Sequence, residues 1–374
     1  METYRLSSKL RDREREYLIQ TANDSSIGSV ATTTYVDGIL TEAVNCPHPS
    51  DIRPQDVLSL VKLTHEEKKK EIEALLQTHR RVMDGGDPEM MYQLGTAFYY
   101  KGFLQESREL CLAALKMNSE HHQSYNQLGM TELALGSTAN AIAAGLEAVK
   151  RRPRFADYHN NLGEAYLAES DFRAAVVQFE EAIGINLYYA DAYFNLGLTH
   201  LAAVVARTPD PVAAERMAAK IVDSFHKASL IHPAYLTPQF TLGMEAVKGH
   251  VFDRALNQFR TVREAKKESH RQEFAGFYMK FILFPEWVSE KVVQERIAFL
   301  QQEIEKNPMY VDLQVDLAHC FLEQARMSWQ KGIEHYQRSA GMNPALTRIQ
   351  TSLDHIERAY QQMCTALGKV LEKA

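Results

Sequence analysis

An all-α solenoid of antiparallel helix pairs, with a small N-terminal β-hairpin extension, is the fold class predicted from three observations. First, Leu-Gly pairs recur in register. Leu94-Gly95, Leu128-Gly129, Leu162-Gly163 and Leu196-Gly197 stand 34 residues apart, and Leu242-Gly243 follows 46 later, which is the same period plus 12. A fixed period of this size is the mark of a stacked repeat array. Second, other positions repeat with the pair. A large residue precedes it by three at Met91, Tyr125, His159 and Tyr193. Further on, Ala141, Gly145, Ala148 and Pro153 close one copy, and Ala175, Phe179 and Ala182 the next. Ile221, Phe225, Ala228 and Pro233, then Ala255, Phe259 and Val262, take the same places in the last two. Third, residues 29–44 change character to a β-branched run divided by Asp37-Gly38, a strong hairpin signal.

The repeat resembles the tetratricopeptide repeat, W-x2-L-G-x2-Y…A-x3-F…P, over about residues 88–268. The resemblance implies a right-handed superhelix whose first helices line a concave groove. The pattern has a packing cause. Gly95 and its equivalents let the two helices of a copy approach, and the aromatics fill the gaps between copies. A lone pair cannot bury its face, so stability comes from stacking.

Composition narrows the function classes. Charged residues make up 24% and hydrophobic ones 45%, ordinary for a soluble chain. A net charge of −6 argues against a nucleic-acid partner, which needs a concentrated basic face. Cys46, Cys111, Cys320 and Cys364 lack CxxC spacing, so neither a disulfide framework nor a zinc site is expected, and a reducing, cytoplasmic setting is. Cys111 stands at the aromatic position of its copy and reads as core. The opening METYRLSSKLRDREREYL has no apolar signal core, and no run of about 18 apolar residues suggests membrane insertion.

In order, residues 1–53 read as an N-terminal arm with the hairpin. Within it, residues 5–20 carry alternating charges with Leu6, Leu10, Tyr17 and Leu18 and read as a short solvated helix, or an arm that docks on a partner. The hairpin packs on the solenoid or pairs through its exposed edge. Residues 54–86 read as capping helices: Pro54–Leu63, then a second helix with Thr64 as N-cap and Glu67 as its capping-box partner, stopped by Gly85-Gly86. Residues 87–268 hold five repeats, the fourth lengthened near 204–214 around Thr208-Pro209-Asp210-Pro211, where the prolines break continuous helix. Residues 269–344 hold degenerate repeats. Phe274, Phe277, Tyr278, Phe281 and Phe284 cluster there before Pro285 and Trp287, as divergent core or as a partner surface. Helix 289–306 ends at Asn307-Pro308, and a diverged copy with two helices follows, carrying Leu317, Ala318, Phe321, Tyr336 and Pro344. Residues 345–374 form a C-terminal helix whose wide uncharged face suits a capping helix better than a dimer zipper.

No P-loop, dinucleotide fingerprint, nucleophile elbow or metal-spaced cluster is present, so no enzyme, cofactor or metal is expected. His121-His122 reads as a surface pair. The informative residues precede each Leu-Gly: Gln93, Gln127, Asn161 and Asn195 share one position, with Asn126 and Asn160 one residue earlier. The resemblance turns these positions into the groove, similar to the asparagine ladder of the O-GlcNAc transferase superhelix. A side-chain amide offers donor and acceptor together, which suits an extended peptide backbone. The alternative is that the amides bond the neighbouring repeat. The family's carboxylate clamp needs Lys or Arg where Glu89, Gln123, Asp157, Asp191 and Thr237 stand here, so chaperone tails are not expected. Tyr92, Thr96, Tyr99, Tyr100, Met130, Glu164, Phe194, Leu198, Phe240 and Met244 complete the groove, with Asp157, Glu164 and Asp191 suited to a basic residue. The function expected is a non-catalytic scaffold, adaptor or assembly factor binding a protein segment. The alternative is a structural scaffold that self-assembles through the hairpin edge or the C-terminal helix.

Gly163 stands where two helices of a copy are predicted to meet. Gly163→Leu is expected to cost about 1–3 kcal/mol by overpacking. A thermal melt that does not move would contradict the register.

Overall fold

The N-terminal segment forms strands, and its side chains alternate in burial along them. The computed structural model describes residues 4–371 apart from 25, 27, 50, 208–210, 275–278, 280–282, 285–286, 307–310 and 343–346. It opens with β1 (Arg5–Asp12), β2 (Arg15–Asp24), β3 (Ser29–Val36) and β4 (Ile39–Pro47). They pair in sequential order as an antiparallel meander. The predicted hairpin is β3–β4. Its turn has φ +50° at Asp37 and +82° at Gly38, the positive pair a type I′ turn requires.

The helix expected over residues 5–20 is corrected to β1 and β2. Tyr17, Ile19, Thr21 and Asn23 point inward from β2, and Val30, Thr32, Thr34 and Val36 from β3, the period of two that a strand imposes. Half of this inner face is polar, which hid it. Several of the polar groups pair with one another, while Thr34 Oγ1 is buried with no hydrogen-bond partner among the described residues. His65 of the first helix bonds Ser8 Oγ at 2.8 Å and Thr21 Oγ1 at 3.1 Å, and Thr21 bonds Thr32 at 3.0 Å.

Helix α1 (Pro54–Gly85) crosses the sheet without a break. Val57 and Val61 bury against Val30, ringed by Leu6, Cys46, Ile52 and Leu60. The expected helix start at Thr64 is therefore corrected. Its hydroxyl donates to the Leu60 carbonyl within α1, a bond available to Thr in a helix interior. Gly86 has φ −76°, so the stop needs no left-handed residue. The next helix takes over, capped by Asp87 Oδ1 accepting from Met90 N at 2.8 Å, with Pro88 at its first position.

The repeats then run as α2 (Pro88–Tyr100), α3 (Leu104–Met117), α4 (His122–Ala134), α5 (Thr138–Arg151), α6 (Ala156–Ala168), α7 (Phe172–Ile185), α8 (Ala190–Arg207) and α9 (Pro211–Ile231). A short 3-10 turn (Pro233–Tyr235) precedes α10 (Pro238–Lys248) and α11 (Phe252–Glu273). The tight turns inside the pairs fall at Gly102, Gly136, Ser170 and His250, with φ between +54° and +80°. Relative to α6 and α7, α8 is five residues longer and α9 seven, which absorbs the twelve extra residues. Residues 208–210 lie outside the described residues.

Among the described residues there follow α12 (Glu290–Lys306), α13 (Val311–Met342) and α14 (Thr347–Leu371). The two-helix copy expected over 311–342 is corrected to the single helix α13. No proline interrupts it, and Gly332 faces open space, so nothing forces a turn. It packs on α12 and on α14, where Arg326 Nη1 donates to Tyr360 Oη at 3.3 Å. Of the aromatic cluster, Phe284 stacks on Trp287 at 4.4 Å, while Phe277, Tyr278, Phe281 and Pro285 lie outside the described residues.

The chain divides into two compact units. The first is Met1–Ala175 with Lys267–Met279, and the second is Val176–Lys266 with Lys280–Ala374. In the first unit a buried charge cluster holds the sheet to the helices. Lys101 Nζ donates to Glu42 Oε1 at 3.0 Å and pairs with Glu71, and Lys68 Nζ donates to Glu42 Oε2 at 3.0 Å. In the second unit the core is aromatic. Phe225 stacks on Phe259 at 3.6 Å, Phe194 on Tyr235 at 4.5 Å, and Phe240 meets Phe225 and Phe259 edge-on.

The Leu-Gly glycines differ in how much room they have. A Cβ on Gly243 would lie 2.8 Å from the Phe259 ring, whereas one on Gly95 would lie 3.5 Å from Cys111 Sγ. Gly243→Ala is expected to destabilise by about 1–3 kcal/mol. Gly95→Ala is expected to be neutral or stabilising by up to about 1 kcal/mol, because Ala is the better helix former. Equal shifts in thermal denaturation would contradict this packing.

The charge cluster predicts an acid dependence. Burial raises the Glu42 carboxyl pKa, but Lys101 and Lys68 outweigh burial and hold it below the usual range. The stabilisation from Glu42 is then complete above the unfolded-state value of about 4.3 and is lost as pH falls through the lower folded value. Denaturant titrations across that window should show a steeper acid loss in wild type than in Glu42→Gln. Parallel pH profiles would remove the cluster from the cause.

Candidate interaction surface

The first helices of successive repeats bring the predicted amides together in ways the sequence left open. In the first unit, Gln127 on α4 is buried at 3% exposure. Its Oε1 accepts from Thr96 Oγ1 of α2 at 3.1 Å, and its Nε2 reaches Thr131 Oγ1 at 3.4 Å. Asn160 on α6 is equally buried. Gln127 joins α2 and its own helix, and Asn160 is buried, so neither faces an open groove, which corrects their expected placement. For Gln127 the cause is the preceding repeat, which supplies the Thr96 hydroxyl at the height of the amide.

Asn126 and Asn161 are placed differently. Asn161 Nδ2 on α6 donates to Asn126 Oδ1 on α4 at 3.0 Å, and Asn126 Nδ2 points to Met130 Sδ at 3.9 Å. Both amides remain half-buried. Gln93 on α2 bonds Glu89 of its own helix at 3.3 Å and is half-buried as well. Thus α2, α4 and α6 share one face on which Gln93, Asn126, Met130 and Asn161 are accessible.

Aromatic and acidic groups border these amides. Tyr92 lies against His121, ring centres 5.9 Å apart, and burial pushes its hydroxyl up to about 12. Tyr99 meets Tyr100 edge-on at 5.2 Å. Asp157 is exposed, and Glu164 is half-buried with Oε2 accepting from Lys267 Nζ at 2.5 Å. The His121-His122 pair is more than a surface feature. His121 caps α4 and lies 3.2 Å from Glu89 Oε2, while His122 Nδ1 bonds Tyr158 Oη at 2.6 Å.

The second unit holds six of the predicted residues, of which Leu198 is buried and Met244 half-buried. Phe194 and Phe240 are buried in its aromatic core, and Asn195 is buried at 3% exposure. The open lining expected of these three is therefore corrected. Large rings at helix-facing positions pack first, because burying one removes more apolar area than any alternative contact. Asp191 accepts from Tyr235 Oη at 2.5 Å and pairs with Lys266. Burial raises its carboxyl pKa, yet Lys266 and Tyr235 hold it below the usual range.

A second polar arrangement, with no counterpart in the sequence reading, joins the sheet to α3 and α1. Tyr17 Oη donates to Glu106 Oε1 at 2.5 Å, Arg15 reaches the same oxygen at 3.0 Å, and Arg80 holds Asp12 at 2.6 Å. Its only sequence signal was the charge-rich run at 11–16. Among the described residues no helix is long and apolar enough to cross a membrane, and no three His, Cys, Asp or Glu side chains gather as a metal site.

Replacing Gln127 by Ala should cost about 1–3 kcal/mol, because Thr96 and Thr131 lose a buried partner. Replacing Asn161 should cost less, since its amide is half-exposed. Chemical denaturation of both variants checks the order, and a greater loss at Asn161 would reverse the assignment.

Family models for the tetratricopeptide repeat match residues 92–156 and 156–188. A search of curated proteins returned no match. Among solved structures, the chain is similar to MamA at 22% identity, covering 48% of this chain and 96% of that one with TM-score 0.35. It is similar to a thermophilic TPR protein of Thermus thermophilus at 20% identity, covering 63% and 99% with TM-score 0.34. It is also similar to YrrB, described as a TPR protein with an unusual peptide-binding site, at 13% identity, covering 52% and 97% with TM-score 0.36.

Proposed function

We propose, for a chain that belongs to the tetratricopeptide-repeat proteins with repeats matched over residues 92–188, that it is a non-catalytic adaptor or assembly factor. Repeats of this family support a protein-interaction scaffold in general. The finer reading is that the face shared by α2, α4 and α6 takes a segment of a partner protein. The observation that carries it is the hydrogen bond between Asn161 and Asn126. It joins neighbouring, non-equivalent positions on the first helices of two successive repeats while both amides stay half-buried. Each amide offers two donors and an acceptor oxygen, so this single bond leaves hydrogen-bonding capacity on the same face. Tyr92, Tyr99 and Met130 supply apolar anchors, and Gln93, Asp157 and Glu164 supply polar and acidic contacts.

Affinity capture of a partner, followed by titration against wild type and Asn126→Ala/Asn161→Ala, tests the reading. The double variant should bind about 1–3 kcal/mol more weakly with its fold intact, each net hydrogen bond contributing about 0.5–1.5 kcal/mol. Equal affinities would move the binding surface elsewhere.

One observation favours a second reading, self-assembly through the sheet. β4 is an edge strand, and Ile39 and Leu40 on it are 71% and 54% exposed. Exposed apolar edges pair readily with other strands. Light scattering over a concentration series separates this from a monomeric adaptor, and Ile39→Lys should abolish any concentration-dependent growth in mass.

A further inference from the structure

The geometry points to the end of α11 as a built-in ligand of the first unit's repeat face. We infer that the partner of this face is a helical segment presenting a cation and an aromatic ring two turns apart, which must displace α11's end to bind. This rests on the reading of the α2–α4–α6 face as the binding surface and refines its occupant from extended to helical.

The length of α11 raises the question. It has 22 residues, against 14 in α5, and the additional two turns are residues 266–273. Apart from Lys266, which pairs with Asp191, the repeat stack makes no apolar use of them: the buried apolar residues of α11 are Ala255, Leu256, Phe259 and Val262, all in its first part. The extra turns carry Lys267 and His270, and Phe274 follows at the helix end. Positions i, i+3 and i+7 fall on one side of a helix.

All three side chains on that side meet the repeat face. Lys267 Nζ donates to Glu164 Oε2 of α6 at 2.5 Å. His270 Nε2 shares a hydrogen bond with Tyr100 Oη of α2 at 2.9 Å. The Phe274 ring stacks on Tyr100, centres 4.1 Å apart and planes 23° from parallel. Burial accordingly pushes the Tyr100 hydroxyl well above its ordinary range. The acidic residue and the aromatic that the sequence assigned to a groove are thus engaged by a cation and a ring from the same chain.

This contact is built to be displaced. The Lys267 side chain is 49% exposed, so its ion pair is screened by water and salt. What favours it is tethering, which gives the segment a high effective concentration at the face. A separate helix with the same cation-to-aromatic spacing makes the same contacts, and its apparent affinity is lowered by the fraction of chains already closed.

The probe is a fluorescein-labelled synthetic peptide of residues 260–274, titrated into the full chain by anisotropy. The Lys267→Glu/Phe274→Ala chain, whose own segment competes poorly, should bind it at least about ten-fold tighter than wild type. Adding Tyr100→Ala or Glu164→Lys should abolish that gain. Equal binding by wild type and the double variant, or a gain that survives Tyr100→Ala, overturns the proposal. A second measurement leaves α11 unaltered: Glu164→Lys repels Lys267, so trypsin should cut after Lys267 and Arg271 several-fold faster than in wild type with circular dichroism unchanged, and equal rates overturn it. A captured partner that depends on Asn126 and Asn161, together with a peptide that fails to bind the opened chain, would reject this inference and keep the binding surface. A peptide that binds the opened chain while the asparagine variant behaves as wild type would do the reverse.

Discussion

The first unit depends on four charges taken out of water together. Glu42 comes from β4, Lys68 and Glu71 from α1, and Lys101 from the end of α2, and Lys101 is among the most buried side chains of the chain. Two ammonium and two carboxylate groups leave the cluster neutral, which is the condition under which buried charge is tolerated. Removing one member strands the others, so the cluster acts as a single joint. Next to it, Gly102 has φ +77°, and a Cβ there would lie 3.0 Å from the Thr41 carbonyl oxygen. The first repeat's inner turn is therefore pressed against the sheet. That contact decides where the sheet sits and turns a marginal meander into the cap of the repeat array.

The second unit is organised by a different force. Its Leu-Gly glycines Gly197 and Gly243 are tight because the Phe225 and Phe259 rings occupy the space opposite. Phe194, Tyr235 and Phe240 join the same stack. A core of this kind draws its large side chains inward from every helix that can reach it. This is why residues equivalent by position to accessible ones in the first unit are buried here. The repeat is one motif, yet what a given position does depends on whether its neighbour brings a ring or a small residue.

Amide residues illustrate the same point at the interaction face. Gln127 and Asn161 hold equivalent positions, but Gln127 is closed off by Thr96 and Thr131, while Asn161 reaches sideways to Asn126. The difference lies in the hydroxyl-bearing residue at Thr96, one turn from Tyr92 on the preceding helix. A binding face in a repeat protein is in this sense what remains after the repeats have satisfied one another.

The sequence by itself determined the repeat: the period of the Leu-Gly pairs, the helix pairs they imply, the turn at Asp37-Gly38 and the extra length in α8 and α9 all follow from local spacing and local backbone preference. These are short-range properties, and a chain displays them without its fold. Tertiary structure decided the rest. The strands over residues 5–24 were illegible because their inward face is half polar, and that face is buried through pairings among His65, Ser8, Thr21 and Thr32, which lie far apart in sequence. The same holds for α13, where the absence of any breaker matters more than the faint repeat pattern laid over it. It holds too for the acidic and aromatic residues of the interaction face, whose contacts come from Lys267, His270 and Phe274 about a hundred residues or more away along the chain. Periodicity reports which side of a helix a residue occupies, but what meets that side is set by long-range packing, which no local pattern encodes.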